Sequence, residues 1–186
     1  MQLQRAMLCW AVTVLTLAFS LGFADEKEDE AKEHANAKAG LAKAKITLAQ
    51  AVATALKKVP GKAVEAELEL EGDRVQFEVE VISGQKHREV EIDAISGQVT
   101  KTEDEDEEDE DEAAENAAAT KAKITLTQAI ENALKKVKGG KAFEADVEIE
   151  DGKLVYKVEM LAGDKVINAE IDAMTGNVLE VEEETE

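Results

Sequence analysis

One stretch of the chain occurs twice. Residues 43–61 (KAKITLAQAVATALKKVPG) match residues 121–139 (KAKITLTQAIENALKKVKG) at 14 of 19 positions. After one inserted glycine near Gly140, residues 62–99 match 141–178 at 16 of 38. A duplication confines the fold to a unit of about 60 residues used twice. That is near the lower size at which a core forms unaided.

Each copy opens on the same helix signature. Thr47 and Gln50 make a T-x-x-Q capping box, as do Thr125 and Gln128. Apolar residues then recur at helical spacing: Leu48, Ala51, Val52, Ala55, Leu56 and Val59, and again Leu126, Ala129, Ile130, Ala133, Leu134 and Val137. The stripe centres on Leu56 and Leu134. Pro60-Gly61 and Gly139-Gly140 stop the helices, with Lys57-Lys58 in the last turn of the first, where they suit the helix dipole.

Strict alternation follows. Val64, Ala66, Leu68 and Leu70 are interleaved with glutamates, and Val75, Phe77, Val79 and Val81 with polar residues. Two-residue turns at Gly72-Asp73 and Gly84-Gln85 fix the register. They set Leu68 opposite Phe77 and Phe77 opposite Ile92, and the next hairpin sets Ile92 beside Val99. The second copy gives the same pairing, with Val147 opposite Tyr156 and Tyr156 opposite Ile171. In this register every apolar residue shares one face. The expected fold class is α+β: two small modules, each one helix packed on a four-stranded antiparallel meander (α-β-β-β-β), each closing its own apolar face.

Each meander ends in D-A-x-[ST]-G-x-V: Asp93-Ala94-Ile95-Ser96-Gly97-Gln98-Val99 and Asp172-Ala173-Met174-Thr175-Gly176-Asn177-Val178. This ending, after a capped helix and two hairpins, resembles the PepSY domain family. The resemblance covers both repeats, and implies an exported protein associated with peptidase inhibition or regulation.

The flanks read differently. Residues 1–24 have Arg5, an apolar run from Ala6 to Phe23, and Gly22-Phe23-Ala24 before Asp25, the layout of a secretory signal peptide. An uncleaved membrane anchor is the alternative reading. Residues 25–42 read as a disordered acidic and alanine-rich leader. The domains run over 43–102 and 121–182, joined by a linker at 103–120 and followed by an acidic tail at 183–186. The linker contains ten consecutive acids, Glu103–Glu112, which cannot collapse. The expected location is the periplasm or the exterior.

Charge and residue types narrow the function. A net charge of −20 repels nucleic acid and anionic membranes. The single cysteine, Cys9, lies in the signal segment, so cleavage leaves no thiolate nucleophile or disulfide. His34, in the leader, and His87, after a turn, have no His or Cys partner at ligand spacing, which speaks against zinc. No catalytic constellation recurs in both copies, so no enzyme activity and no cofactor are expected. Asp93, Gly97, Asp172 and Gly176 read as turn formers, the Asp accepting backbone N–H groups and the Gly taking positive φ.

The outer face of the first sheet is the candidate site. The register puts Glu67, Glu78 and Glu91 in one cross-strand row and Glu65, Glu80 and Glu89 in the next, flanked by Arg88. The second copy dilutes the rows with Lys157 and Asn168. Repulsion along the rows is expected to raise the central carboxylates, Glu78 and Glu80. The expected partner is a peptidase or another exported protein with a basic surface. The alternative is an acidic structural protein holding divalent cations such as calcium weakly at this patch or along the linker.

Overall fold

The computed structural model describes residues 32–105 and 117–184. The proposed signal segment and most of the acid run lie outside the described residues. A first helix, α1, spans residues 32–43. Then come α2 (Leu48–Lys58), β1 (Lys62–Glu71), β2 (Arg74–Ser83), β3 (Lys86–Asp93) and β4 (Val99–Glu105). The second repeat supplies α3 (Leu126–Lys136), β5 (Lys141–Glu150), β6 (Lys153–Ala162), β7 (Lys165–Asp172) and β8 (Val178–Glu183).

Both capping boxes form. The Gln50 amide N–H donates to the Thr47 hydroxyl and the Thr47 N–H to the Gln50 side chain, and Thr125 and Gln128 repeat the exchange. The fully buried part of each stripe is Leu48, Ala51, Val52 and Ala55, or Leu126, Ala129, Ile130 and Ala133. Leu56 and Leu134 are half-buried at its margin. The stripe is therefore rotated away from Leu56 and Leu134, and its alanines let each helix lie close on the sheet. Past α2, Gly61 meets the next hairpin so closely that a Cβ there would stand 2.2 Å from the Ile82 carbonyl oxygen.

The hairpins keep the expected register. Leu68 pairs with Phe77 and Phe77 with Ile92, and Val147 pairs with Tyr156 and Tyr156 with Ile171. The first turns of the two copies differ. Only Gly72 has positive φ in the first, whereas Asp151 (φ 49) and Gly152 (φ 74) both do in the second. The swap of G-D for D-G thus changes a type II′ turn into a type I′ turn at constant length. Bulges interrupt β1 between Ala63 and Glu65, and β5 between Ala142 and Glu144.

The modules do not close separately. β1 pairs antiparallel with β5, Ala66 opposite Ala145, giving one eight-stranded sheet in the order β4-β3-β2-β1-β5-β6-β7-β8. α2 and α3 pack against each other on one face, and a single core runs from Phe77 and Ile92 to Tyr156 and Ile171. The joint sits where the pseudo-symmetric halves present β1 and β5 as edges.

Three boundaries move. Residues 32–42 of the proposed disordered leader are helical, with Ala37, Gly40 and Leu41 buried and Gly40 against Leu68 and Val75. Residues 103–105, assigned to the linker, extend β4, because Glu103 and Asp104 pair with Glu89 and Arg88. Residue 183, assigned to the tail, closes β8 opposite Ile167.

Candidate functional site: a carboxylate face

With α2 and α3 on one face, the alternation sends the glutamates to the other. One row crosses all eight strands: Lys101, Glu91, Glu78, Glu67, Glu144, Glu159, Asn168, Glu182. The register places Glu103, Glu89, Glu80 and Glu65 in the neighbouring row, with Asp146, Lys157, Glu170 and Glu180 on the other half. The predicted patch of Glu65, Glu67, Glu78, Glu80, Glu89 and Glu91 is thus assembled, and the seam extends it into the second repeat.

The charges are compensated unevenly. Glu91 is almost fully buried and accepts from Arg74 at 2.6 Å and Lys101 at 3.1 Å. Burial alone would push its carboxyl up, but these two cations outweigh it and hold it below the usual range. Among the described residues, no such cation sits against Glu78. Burial first, then a hydrogen bond with Glu69 and the charges of Glu69, Glu89 and Glu67, push it from its ordinary 4.5 up to about 8. The rise at Glu78 is the expected one, but burial leads it, and the diagonal Glu69 matters more than repulsion along the row. Gln76, 2% exposed, donates from Nε2 to Glu69 at 3.0 Å and to Glu78 at 2.8 Å. Arg88 faces Asp104 at 3.0 Å, away from the centre of the patch.

The second repeat is only partly relieved. Lys157 reaches Glu159 at 3.2 Å. Asp146, half-buried and beside Glu148, is pushed up by desolvation even though Lys157 pulls it the other way. Burial and a hydrogen bond with Glu150 also raise Glu170.

The D-A-x-[ST]-G turns lie at the sheet's rim. Asp93 Oδ1 accepts the Ser96 N–H and hydroxyl, both at 2.6 Å, which holds its carboxyl below the usual range. Asp172 does the same with Thr175, at 2.7 Å and 2.9 Å. Gly97 and Gly176 have φ of 72° and 75°. The Ala94 carbonyl accepts the N–H groups of Lys45 and Ile46, and Ala173 those of Lys123 and Ile124, so each turn anchors the approach to its own repeat's helix.

His34 has neighbours that the linear pattern does not mark. It lies in α1, with Nε2 3.2 Å from Glu184 Oε2 and 3.8 Å from Glu159 Oε2. Its partners are so distant in sequence that no local spacing marks them.

No helix among the described residues is long and apolar enough to cross a membrane. No curated protein matches the chain. Among solved structures it is similar to a candidate lipoprotein from Clostridium difficile 630, at 24% identity, over 76% of this chain and 95% of that one, with a TM-score of 0.44. It is similar to the YpeB C-terminal domain of Bacillus megaterium at 17% identity, over 77% and 68%, with a TM-score of 0.31. A BLIP-like protein from Bacteroides fragilis NCTC 9343 is also 17% identical, over 74% and 86%, with a TM-score of 0.28. At these scores the likenesses add nothing to the family match. The family model described as "Peptidase propeptide and YPEB domain" matches residues 45–103 and again 123–182. Matched twice and over more than half of its length, the chain belongs to the PepSY family.

Proposed function

We propose that this is an exported, non-catalytic binding protein whose carboxylate face engages a basic surface on a peptidase or another exported protein. The observation that carries the reading is the pair of acidic rows across all eight strands. Opposed like charges destabilise a sheet, by about 0.2–1 kcal/mol for each pair. Setting Glu67 opposite both Glu78 and Glu144 concentrates negative potential on this face. A basic partner would relieve that repulsion, giving fast association and a steep salt dependence. Export rests on the signal layout of residues 1–24, and the peptidase on the family.

The test is binding and inhibition of exported metallopeptidases with basic rims, by the full chain and by a Glu65→Lys, Glu80→Lys, Glu89→Lys variant. Affinity should fall sharply from low to physiological salt and in the variant. Absence of binding at low salt, or equal binding by the variant, sinks the reading.

A second reading is weak divalent-cation binding. Carboxylate oxygens of Glu67, Glu69 and Glu78 lie within 4.8 Å of one another, which favours it. Calcium calorimetry on the chain with and without residues 103–112 separates this patch from the linker.

A further inference from the structure

We infer that His34, Glu159 and Glu184 form a site for a zinc-class divalent ion that fastens α1 to the second half of the sheet. The three come from separate parts of the chain: α1, the interior of β6, and the residue following β8. One ligand atom of each lies within 4.8 Å of the others.

The distances suit a metal. Zinc holds nitrogen and oxygen ligands at about 2.0–2.2 Å in a tetrahedron, which sets neighbouring ligands about 3.3–3.6 Å apart. The separations from His34 Nε2, 3.2 Å to Glu184 and 3.8 Å to Glu159, bracket that spacing. A simple ion pair would need only one carboxylate.

The ligands are oriented from outside the site. Glu159 divides its oxygens: Oε1 meets Lys157 at 3.2 Å, while Oε2 faces His34. That is how an outer partner holds a monodentate carboxylate. Phe143, at the β5 bulge, stands edge-on to the His34 ring, centroids 6.2 Å apart at 67°. Val64 is its counterpart in the first repeat, so a single site per chain is expected.

A separate observation lies on the neighbouring strand. Asn168 lies opposite Glu159, and its Oδ1 is buried with no hydrogen-bond partner among the described residues. Buried acceptors are nearly always satisfied. Water on a bound metal would supply the missing donor. Glu144 and Glu182, in the same row, add negative potential that draws in a cation. An imidazole beside two carboxylates suits zinc-class ions better than calcium or magnesium, which take oxygen alone.

The test uses the full chain in excess calcium, which occupies the oxygen-only acidic clusters. Zinc is titrated against a chromophoric chelator, cobalt by visible absorption, and hydrogen exchange of residues 35–42 is followed with and without zinc. One site is expected, with slower exchange in α1 on binding. His34→Ala and the isosteric Glu184→Gln should each weaken zinc at least about tenfold, the scale on which even outer-shell partners act. Glu78→Lys, which alters the partner-binding face, should leave zinc affinity unchanged. Unaltered affinity in both ligand variants, or displacement of zinc by calcium, overturns the site and assigns the binding to the acid run.

Discussion

Glu67 of the first repeat stands directly opposite Glu144 of the second, where β1 pairs with β5. The strands that join the two halves therefore meet with like charges on the outer face, while Ala66 and Ala145 meet on the core side. Replacing Glu67 with Lys creates an opposite-charge neighbour at Glu144, and at Glu78 once the pH passes about 8. The variant should gain about 0.5–1 kcal/mol at low ionic strength, and the gain should shrink as salt is added. Thermal melts at two salt concentrations measure this, and a variant no more stable at low salt refutes the opposition.

The titration of Glu78 has a definite sign. Its folded pKa, about 8, lies above its ordinary 4.5, so the folded state binds the proton more tightly. The stabilising contribution of that proton is complete below pH 4.5 and is lost as the pH climbs towards 8. Glu78→Gln keeps the hydrogen bonding without the charge. Melts across this range should show the wild type losing stability relative to the variant as pH rises; parallel curves would mean that Glu78 ionises freely.

One sheet and one core should give one transition. Scanning calorimetry of the full chain should return equal calorimetric and van't Hoff enthalpies. Either half alone exposes β1 or β5 as an edge and uncovers one flank of its helix, and should melt lower than the whole. Two resolved transitions would mean that the seam contributes little.

Burial ranks the helix residues. Ile130 is fully buried, whereas Leu134 is half-buried. Ile130→Ala should cost about 2–5 kcal/mol, and Leu134→Ala distinctly less, since its site borders water. Denaturant unfolding of both variants checks the order, and a reversal would rotate the helix.

Register was legible because two-residue turns leave no freedom. Once Gly72-Asp73 is a turn, Leu68 must face Phe77. The capping boxes were legible because their partners are three residues apart. The seam was not: β1 alternates in the same way whether its free edge meets water or another strand. α1 was hidden by composition, because Ala37 and Gly40 bury too little apolar surface to mark a stripe. The neighbourhood of His34 was hidden by distance, since tertiary folding alone brings in Glu159 and Glu184. The balance among the glutamates also depended on side chains reaching between strands, as when Arg74 and Lys101 converge on Glu91.

Joining β1 to β5 shows how copies of this unit add to one another, and the same step could in principle continue outward. The outermost strands oppose it. β4 carries Glu103 and Asp104, and on β8 the exposed Leu179 and Val181 are flanked by Glu180, Glu182 and Glu183. An incoming copy would have to lay its own acids beside those that end each outer strand, one of the means by which natural sheets resist fibre growth. The charge that disfavours the fold internally thus acts at its margins as a brake on aggregation.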